Sequence, residues 1–220
     1  KSQPAEKIIS EVKLLIAQGF KNITLLGQNV NSYKSTIPSL RDASHLAGQR
    51  GNPARIQPSD NVNFATLLKT INALPGSFHL SFLTSHPKDM SDELIMTMAQ
   101  CKKLNKELHL PVQSGDNTIL RKMNRRYTVA HYKKLIEKIR KALPGIKIST
   151  DIIVGFPGET KKQFQNTVNL ATAIKFDKAF IAKYSPRPGA AAARLKDNAP
   201  MEEKKRRWKI LDTLINGFKH

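Results

Sequence analysis

A repeated pairing of a short apolar strand with a polar turn and an amphipathic helix is the feature that most constrains the fold of this chain. Five apolar stretches read as strands, and each ends in a turn rich in polar residues, glycine or proline. The predicted strands cover residues 21–26, 79–83, 107–110, 146–154 and 179–184. Helical spacing of apolar residues predicts helices between them. Strands that alternate with helices in this way predict a parallel sheet with right-handed crossovers.

The stretch from residue 107 to residue 126 contains one such unit in full. Leucines alternate with His109 before a proline, which predicts a short half-buried strand that passes into the polar turn 113–115. Asp116 is placed to cap a helix whose apolar residues follow helical spacing. In α/β proteins the loop between such a strand and helix faces the ligand.

The carboxyl ends of the five strands are expected to converge on one rim. A single polar βα turn needs no ligand to explain it, but five together favour a shared pocket at the C-terminal rim of a barrel-like sheet. A complete (β/α)₈ barrel typically needs about 250 residues. The 220 residues of this chain therefore predict a partial barrel, or a piece of one.

The predicted domain organisation has two parts. Residues 1–190 form the partial barrel, interrupted by a long polar loop over residues 34–61, and residues 191–220 form a basic C-terminal helix. Loops of this length are usually functional or disordered, and both alternatives stay open. Because the chain does not start with methionine, we expect it to begin inside a longer protein.

The net charge points to a polyanionic partner. Lys and Arg number 37 against 17 Asp and Glu, a formal charge of +20, and such an excess favours nucleic acid through counterion release. An acidic membrane surface is the weaker candidate, and solvated lysines on helix faces are the alternative without function. No apolar run approaches the roughly 18 residues of a membrane span, so no membrane partner is expected. A single cysteine, Cys101, excludes an internal disulfide and an all-cysteine metal site, and favours a cytoplasmic location.

Common self-contained catalytic motifs are absent from the sequence. There is no phosphate-binding loop, dinucleotide fingerprint, zinc-protease motif or nucleophile elbow. The six histidines show no metal-ligand spacing, and His109 is interpreted as a satisfied core residue. Asp151 lies in an apolar strand, where a carboxylate must be paired or face a polar site. A structural ion pair, a helix cap and a binding role all remain open for it.

Six ordered segments carry a resemblance to a known family. The segments cover residues 25–33, 84–87, 109–115, 123–125, 150–160 and 184–189. They include the sequence motifs Gly-Gln-Asn-Val-Asn-Ser-Tyr, His-Leu-Pro-Val-Gln-Ser-Gly and Asp-Ile-Ile-Val-Gly-Phe-Pro-Gly-Glu-Thr. The chain resembles the radical SAM methylthiotransferases, and within them the tRNA-modifying members. The resemblance spans nearly the whole chain except the loop 34–61.

The resemblance implies a partial (βα)₆ barrel without its first strand. It implies that a [4Fe-4S] cluster cleaves S-adenosylmethionine to a radical, that a second cluster supplies sulfur, and that a prenylated adenosine beside the anticodon of tRNA is methylthiolated. It further implies the anticodon stem-loop as partner and flavodoxin or ferredoxin as reductant. The family's Cys-x₃-Cys-x₂-Cys motif and first strand are expected before residue 1, and its C-terminal TRAM domain after residue 220. The 220 residues alone are therefore expected to be inactive.

The resemblance also assigns site residues by motif position. Gln28 and Asn29 would contact the amino group of S-adenosylmethionine, Arg125 would pair with its carboxylate, and the backbone at Gly155 and Phe156 would approach its adenine. The further residues of this pocket are Ser85, Gln113, Ser114, Asp151 and Tyr184. The RNA-binding candidates are Arg126, Arg187, Lys205, Arg206 and Arg207. For the last helix the alternative is a buried apolar stripe around Trp208 with solvated charges.

Other functional readings remain beside this one. A non-catalytic remnant would bind RNA in a salt-sensitive way without the cofactor, and an unrelated α/β binding module would do neither. A methylthiotransferase that acts on a different tRNA adenosine derivative is a further alternative. Because a partial barrel leaves a strand edge unpaired, we also expect the isolated chain to aggregate.

Overall fold

The computed structural model describes residues 2–36, 61–83, 85–186, 189 and 191–217. The chain divides into two compact units: unit 1 is Lys1–Thr84 with Asp89–Asn105, and unit 2 is Ser85–Lys88 with Lys106–His220. Most of the predicted loop 34–61 lies outside the described residues, as does the RNA-binding candidate Arg187. Among the described residues, no helix is both long and apolar enough to cross a lipid bilayer.

The described residues of unit 1 form three helices and four short strands. In chain order its elements are α1 (Ala5–Ala17), β1 (Asn22–Leu25), a 3₁₀ turn (Val30–Ser32), β2 (Lys34–Thr36), β3 (Asn61–Asn63), α2 (Phe64–Asn72), β4 (His79–Phe82) and α3 (Asp92–Gln100). β1 and β4 pair in parallel, with Ile23 opposite Leu80 and Leu25 opposite Phe82. This parallel pair with a helix between its strands is the βα arrangement that the sequence predicts.

The prediction of an unbroken loop over residues 34–61 is wrong at both of its ends. β2 and β3 pair antiparallel, with Lys34 opposite Asn63 and Thr36 opposite Asn61. Strands of three residues are too short to show a period of two, so their pairing could not be recognised in the sequence.

The core of unit 1 is built on α2. Asn63 caps this helix, because its side-chain oxygen accepts a hydrogen bond from the Thr66 amide at 2.9 Å. Leu67, Leu68 and Ile71 of α2 are at most 2% exposed. Full burial of each such side chain stabilises the fold by about 1.5–3 kcal/mol.

Unit 2 contains a three-stranded parallel sheet and four helices. Its elements are β5 (Glu107–His109), α4 (Asn117–Lys122), α5 (Val129–Ala142), β6 (Lys147–Val154), α6 (Lys161–Ile174), β7 (Lys178–Lys183), a 3₁₀ turn (Ala191–Arg194) and α7 (Met201–Ile215). The strand order is β5-β6-β7, and both pairs are parallel. The carboxyl ends of these three strands therefore lie at the same edge, as predicted.

Side-chain caps fix where the helices of unit 2 begin. The predicted cap at Asp116 is confirmed, since its carboxylate accepts from the amides of Thr118 and Ile119 at 2.9 and 3.2 Å. The predicted cap at Thr128 is confirmed by its hydrogen bond from the His131 amide at 3.1 Å. α6 begins with a capping box, because Thr160 and Gln163 satisfy each other's backbone amides.

Side chains of α7 cover the outer hydrogen-bonding edge of β7. The Asn216 amide both donates to Ala179 O at 2.9 Å and accepts from Ala179 N at 3.1 Å. The Trp208 indole donates to Ile181 O at 2.8 Å. Backbone groups that a further strand would use are thus satisfied by one helix.

All five predicted strands are confirmed, and the α/β class with them. They form two parallel sheets, one in each unit, rather than one continuous sheet within the described residues. β5 is only three residues long, which limits the ladder that it can form.

Candidate functional site

One face of the unit 2 sheet is open. Along β6 the side chains alternate strictly: Ile148, Thr150, Ile152 and Val154 are buried, whereas the other face of the strand is only half-buried. Parallel sheets are normally covered on both faces. An open face that carries polar side chains is therefore the natural place to look for a binding site.

Four side chains meet on this open face. His109 Nδ1 lies 3.0 Å from Ser149 Oγ, and His109 Nε2 lies 3.3 Å from Asp151 Oδ2. The imidazole also makes an edge-to-face contact with Phe180, with ring centroids 5.7 Å apart. Phe180 on β7 is the register partner of Asp151 on β6, so the carboxylate and the aromatic ring lie side by side on adjacent strands.

This arrangement shows what Asp151 and His109 contact within the fold. Asp151 is paired with a histidine, and its side chain is still 39% exposed. His109 is satisfied, as the sequence predicts, but it lies on the open face rather than in the core. Because a carboxylate can only accept, Nε2 carries the imidazole proton in the neutral ring and Nδ1 accepts from the Ser149 hydroxyl.

The loop after β5 is folded tightly against α6. Gln113 has a positive φ of 68°, and its backbone joins β6 through Asp151 O and the Ile153 amide. Gly115 packs so closely that a Cβ there would lie 2.5 Å from Thr167 Cα. A side chain at this position would force the loop away from the helix.

Ser114 does not line a pocket. Its hydroxyl is fully buried, lies 3.4 Å from Thr167 Oγ1 and accepts from the Asp116 amide at 3.2 Å. In this structure the hydroxyl serves the loop's own structure, and the contact of Ser114 with a cofactor stays a prediction. Gln113 is also buried, at 6% exposed, and stays a candidate.

The loop after β6 is closed by its own glutamate. Glu159 accepts from the Gly155 amide at 2.8 Å, and Gly155 adopts a positive φ of 69°. The methylene stem of Lys204 covers Gly155, so that a Cβ at the glycine would lie 2.5 Å from Lys204 Cγ. Both the Gly155 amide and the space beside it are therefore occupied by protein groups, and the approach of a ligand to this backbone stays a prediction.

Phe156 and Tyr184 belong to the core of unit 2. Their rings pack edge to face at 5.2 Å, in a cluster with Ile119. The Tyr184 hydroxyl donates to Ala192 O at 2.9 Å. The Tyr184 side chain is buried and its hydroxyl is satisfied within the fold, as is usual for a core residue. The roles predicted for Tyr184 and for the Phe156 backbone in a cofactor pocket stay predictions.

A buried ionic network ties α7 to this loop. Arg207 donates through Nη1 to Glu159 Oε2 at 2.7 Å and to Glu159 O at 3.1 Å, and through Nε to Glu203 at 2.8 Å. Lys204 donates to Asp197 at 2.6 Å and to Tyr184 O at 3.1 Å. Burial raises the pKa of Glu159, although the Gly155 amide and Arg207 oppose the shift. Hydrogen bonds from Arg206 and Arg207 lower the pKa of Glu203 to about 2.

This network gives Arg207 a structural role, and its contact with RNA stays a prediction. The residue is 4% exposed, and its guanidinium is bonded to two carboxylates. Lys205 and Arg206 are exposed, but they pair with Glu202 and Glu203 along the helix. Trp208 is half-buried, whereas Ile210 and Leu214 are exposed, so the predicted apolar stripe is confirmed only in part. Arg126 is exposed and makes no ion pair with any described residue.

Two more candidates lie at the start of unit 2 and after α4. Ser85 is 6% exposed, and its hydroxyl has no hydrogen-bond partner among the described residues. Arg125 is half-buried close to Tyr127, where its charge opposes the rise of the tyrosine pKa to about 12 that burial causes. The Arg125 guanidinium makes no hydrogen bond to a described residue.

Unit 1 holds a cavity of about 880 Å³ beside β1. Ile23, Leu25 and the α1 residue Val12 form part of its apolar lining, and Gln28 and Asn29 lie in its wall. Asn29 Nδ2 donates to Asp89 Oδ2 at 2.7 Å, whereas Asn29 Oδ1 is buried without a partner among the described residues. Gln28 and Asn29 therefore both line this cavity, and their contact with a cofactor stays a prediction.

Metal ligands are not assembled in the described part of the chain. No group of three or more His, Cys, Asp or Glu side chains there is placed to hold a metal ion. Cys101 is buried, and burial raises the pKa of its thiol.

Sequence reasoning missed the features that depend on packing between distant segments. The pairing of Arg207 with Glu159 joins residues 48 apart, and no local pattern marks it. Phe180 could have been noticed, because the alternation of β7 places its bulky ring on the face opposite the buried Ala179.

Comparison with known sequences identifies the superfamily. Residues 1–171 match the family model of the Radical SAM superfamily. The chain is 44% identical over 98% of its length to the tRNA-2-methylthio-N(6)-dimethylallyladenosine synthase of Clostridium novyi, and covers 43% of that protein. It is 42% identical over 97% of its length to the enzyme of the same name from Acetivibrio thermocellus, and covers 40% of it. The chain thus spans less than half the length of these relatives.

Comparison with solved structures shows the same fold at low sequence identity. Coproporphyrinogen III oxidase from Escherichia coli, described as a radical SAM enzyme, aligns with a TM-score of 0.56 at 18% identity, over 69% of this chain and 36% of that one. Methylornithine synthase aligns with a TM-score of 0.56 at 14% identity, over 95% of this chain and 52% of that one. With more than half of its residues matched and the fold shared, the chain belongs to the radical SAM superfamily.

Proposed function

We propose that this chain is the core of a tRNA methylthiotransferase, which adds a methylthio group to the prenylated adenosine beside the anticodon. The observation that carries the proposal is the identity of 42–44% over nearly the whole chain to relatives named tRNA-2-methylthio-N(6)-dimethylallyladenosine synthase. The solved structures of coproporphyrinogen III oxidase and methylornithine synthase match at 18% and 14% identity. The fold alone would leave the substrate open, so the sequence similarity carries the specific reaction.

S-adenosylmethionine is the proposed cofactor, and each unit, taken by itself, offers it polar groups. When bound, this cofactor supplies the radical and the methyl group of the reaction. Asn29 Oδ1 is a buried acceptor without a partner among the described residues, and the amino group of the cofactor is a matching donor. The buried hydroxyl of Ser85 is unsatisfied in the same way. Arg125 offers a planar guanidinium of the kind that binds a carboxylate through two hydrogen bonds.

An iron–sulfur cluster does not fit the residues of this chain. A [4Fe-4S] cluster is held by cysteine thiolates, and the chain has the single, buried Cys101. We therefore assign no cluster ligand to it. The cluster that the superfamily uses must be held by residues other than those described.

Partners and location follow from the same proposal. The net charge of +20 suits the tRNA anticodon stem-loop, with Arg126, Lys205 and Arg206 as exposed candidates for phosphate contacts. Arg187, which lies outside the described residues, stays a candidate as well. A flavodoxin or ferredoxin is the proposed reductant, and the cytoplasm is the proposed location, without a membrane partner.

A chimeric enzyme tests the function of this segment. The aligned segment of the Clostridium novyi relative is replaced by this chain, and the chimera is expressed in a bacterium that lacks its own enzyme. Nucleosides from bulk tRNA are then analysed by mass spectrometry. We expect the 2-methylthio derivative of the prenylated adenosine to appear. Prenylated adenosine without the added group, from a chimera that folds and carries its clusters, would contradict the proposal.

A further inference from the structure

We propose that the open face of the β5–β6–β7 sheet binds a single unpaired adenine base of RNA, with Phe180 as its stacking surface and Asp151 as the acceptor for its exocyclic amine. The proposal rests on the proposed function, because it assumes that RNA is the substrate. It goes further by naming which side chains of unit 2 recognise the base.

The position of Phe180 is the first argument. Phe180 lies on β7, the strand at one edge of the parallel sheet, and the residue is 51% exposed. A large aromatic side chain in such a sheet would ordinarily be buried. Its ring is held in place by the edge-to-face contact with His109 and by Lys178 Nζ, which lies 4.8 Å from the ring centroid. A fixed and exposed aromatic ring is the usual platform for a base splayed out of single-stranded RNA.

Asp151 supplies the hydrogen-bonding edge beside this platform. It is the register partner of Phe180 on the adjacent strand, and its Oδ2 is held by His109 Nε2. Oδ1 makes no hydrogen bond with any described residue, and the side chain is 39% exposed. A carboxylate accepts from the amino group of adenine or cytosine and is repelled by the carbonyl groups of uracil. The larger purine ring also covers more of Phe180.

His109 acts here as a positioning residue. The Ser149 hydroxyl donates to its Nδ1, so its Nε2 proton is directed at Asp151. Loss of the imidazole would release both the carboxylate and the Phe180 ring. The pair is thus fixed before the base arrives, which reduces the cost of ordering these side chains on binding.

The charge of the molecule selects a nucleotide over a neutral aromatic ligand. The chain carries a net charge of +20, and the Lys178 ammonium lies over one face of the Phe180 ring, which leaves the other face for the base. A base attached to a phosphate backbone can stack on the Phe180 ring, and its phosphate is attracted by the positive charge. We therefore commit to the base of an RNA strand rather than to a free nucleoside.

Binding of paired RNA hairpins to the 220-residue chain tests the proposal. The two hairpins share one stem, and their uridine loops differ by a single adenine; affinities are read by fluorescence anisotropy. We expect the wild-type chain to prefer the adenine loop by on the order of tenfold. Phe180→Ala should remove this preference, Phe180→Trp should retain it, and Asp151→Asn should weaken it without changing affinity for the uridine loop.

A matched control separates stacking from general effects. Phe20 is 54% exposed in unit 1, close to the exposure of Phe180, so Phe20→Ala makes the same chemical change elsewhere. Equal behaviour of Phe20→Ala and Phe180→Ala would overturn the proposal. So would competition by free adenosine or S-adenosylmethionine at concentrations comparable to the hairpin, because the face would then belong to a small ligand. An inactive chimera together with an intact adenine preference of the chain would contradict the proposed function and still support this base-binding site.

Discussion

The ion pair between Arg207 and Glu159 shows how a single buried contact can hold two elements together. Both side chains are nearly inaccessible, at 5% and 1% exposed. Removing one partner of such a pair leaves a buried charge uncompensated, so we expect Arg207→Met to lower the free energy of unfolding by about 3–5 kcal/mol. Urea denaturation followed by circular dichroism measures the change.

Two further variants separate the pair from its surroundings. Arg206→Met removes an exposed guanidinium that also pairs with Glu203, and should lower the free energy of unfolding much less than Arg207→Met does, because water screens the exposed pair. The double variant Glu159→Gln with Arg207→Met removes both charges and should be less destabilised than Arg207→Met alone. Equal losses from Arg206→Met and Arg207→Met would show that burial has no effect here.

Glu203 gives a prediction for the pH dependence of stability. Its pKa is lowered to about 2 in the folded chain, because Arg206 and Arg207 donate to the ionised carboxylate. A lowered pKa means that the folded state favours the ionised form, so the contribution is present above the pKa of the unfolded chain and is lost on acidification. We expect the stability difference between wild type and Glu203→Gln to shrink as pH falls from about 5 to about 3. Urea midpoints across this range measure it, and a constant difference would contradict the assignment.

At the scale of single residues, the sequence predicted a residue's role correctly where that role depends on near neighbours along the chain. Asp116 and Thr128 were recognised as caps because a cap acts on amides two or three residues away. The structural role of Arg207 was missed because an arginine in a basic helix is expected to be exposed unless its distant carboxylate partner is known. Gly155, Phe156 and Tyr184 were assigned to a ligand by motif position alone, although packing within unit 2 uses their groups.

At the scale of helices and strands, hydrogen bonds from α7 side chains cover backbone groups at the outer edge of β7. Asn216 and Trp208 occupy backbone groups of Ala179 and Ile181 that would otherwise be open to another strand. Substituting Asn216→Ala together with Trp208→Phe removes these bonds while keeping the aromatic ring. We expect the double variant to self-associate, because a bare strand edge is a template for pairing with another chain.

Light scattering coupled to size-exclusion chromatography measures this self-association against the wild-type chain. Thr213→Ala, an exposed change on the same helix, is the control. If the double variant keeps the wild-type mass at every concentration, the α7 side chains do not protect the edge. The expectation that the isolated chain aggregates through an unpaired edge stays a prediction, but β7 is not the edge that carries it.

Elements were the most predictable level of this structure. The long alternation of β6 and the helical spacing in α2 and α5 fix both the type and the buried face of each element. The short strands β2 and β3 were missed because three residues cannot show a period. The sequence also could not predict which strands pair, because β4 and β5 are neighbours along the chain but lie in different sheets.

At the scale of the whole molecule, charge rather than shape carries the prediction about the partner. Net charge is read directly from the sequence, whereas the exposure of each cation is not: Lys204 and Arg207 are buried in a helix whose other cations are exposed. Only the exposed cations can release counterions from RNA. The number of phosphate contacts should therefore be smaller than the count of basic residues suggests.

The salt dependence of RNA binding tests which cations make those contacts. Each lost phosphate contact should reduce the slope of log affinity against log salt by about 0.7–0.9. Arg126 makes no ion pair with a described residue, whereas Arg206 donates to Glu203 at 2.7 and 2.8 Å. We therefore expect Arg126→Gln to flatten the slope measurably, and Arg206→Gln to change it less, because Glu203 already neutralises that charge. Anisotropy titrations of a labelled anticodon stem-loop at several salt concentrations measure both slopes. A larger effect from Arg206→Gln would show that RNA displaces Glu203, and would make α7 rather than the turn after α4 the main phosphate contact.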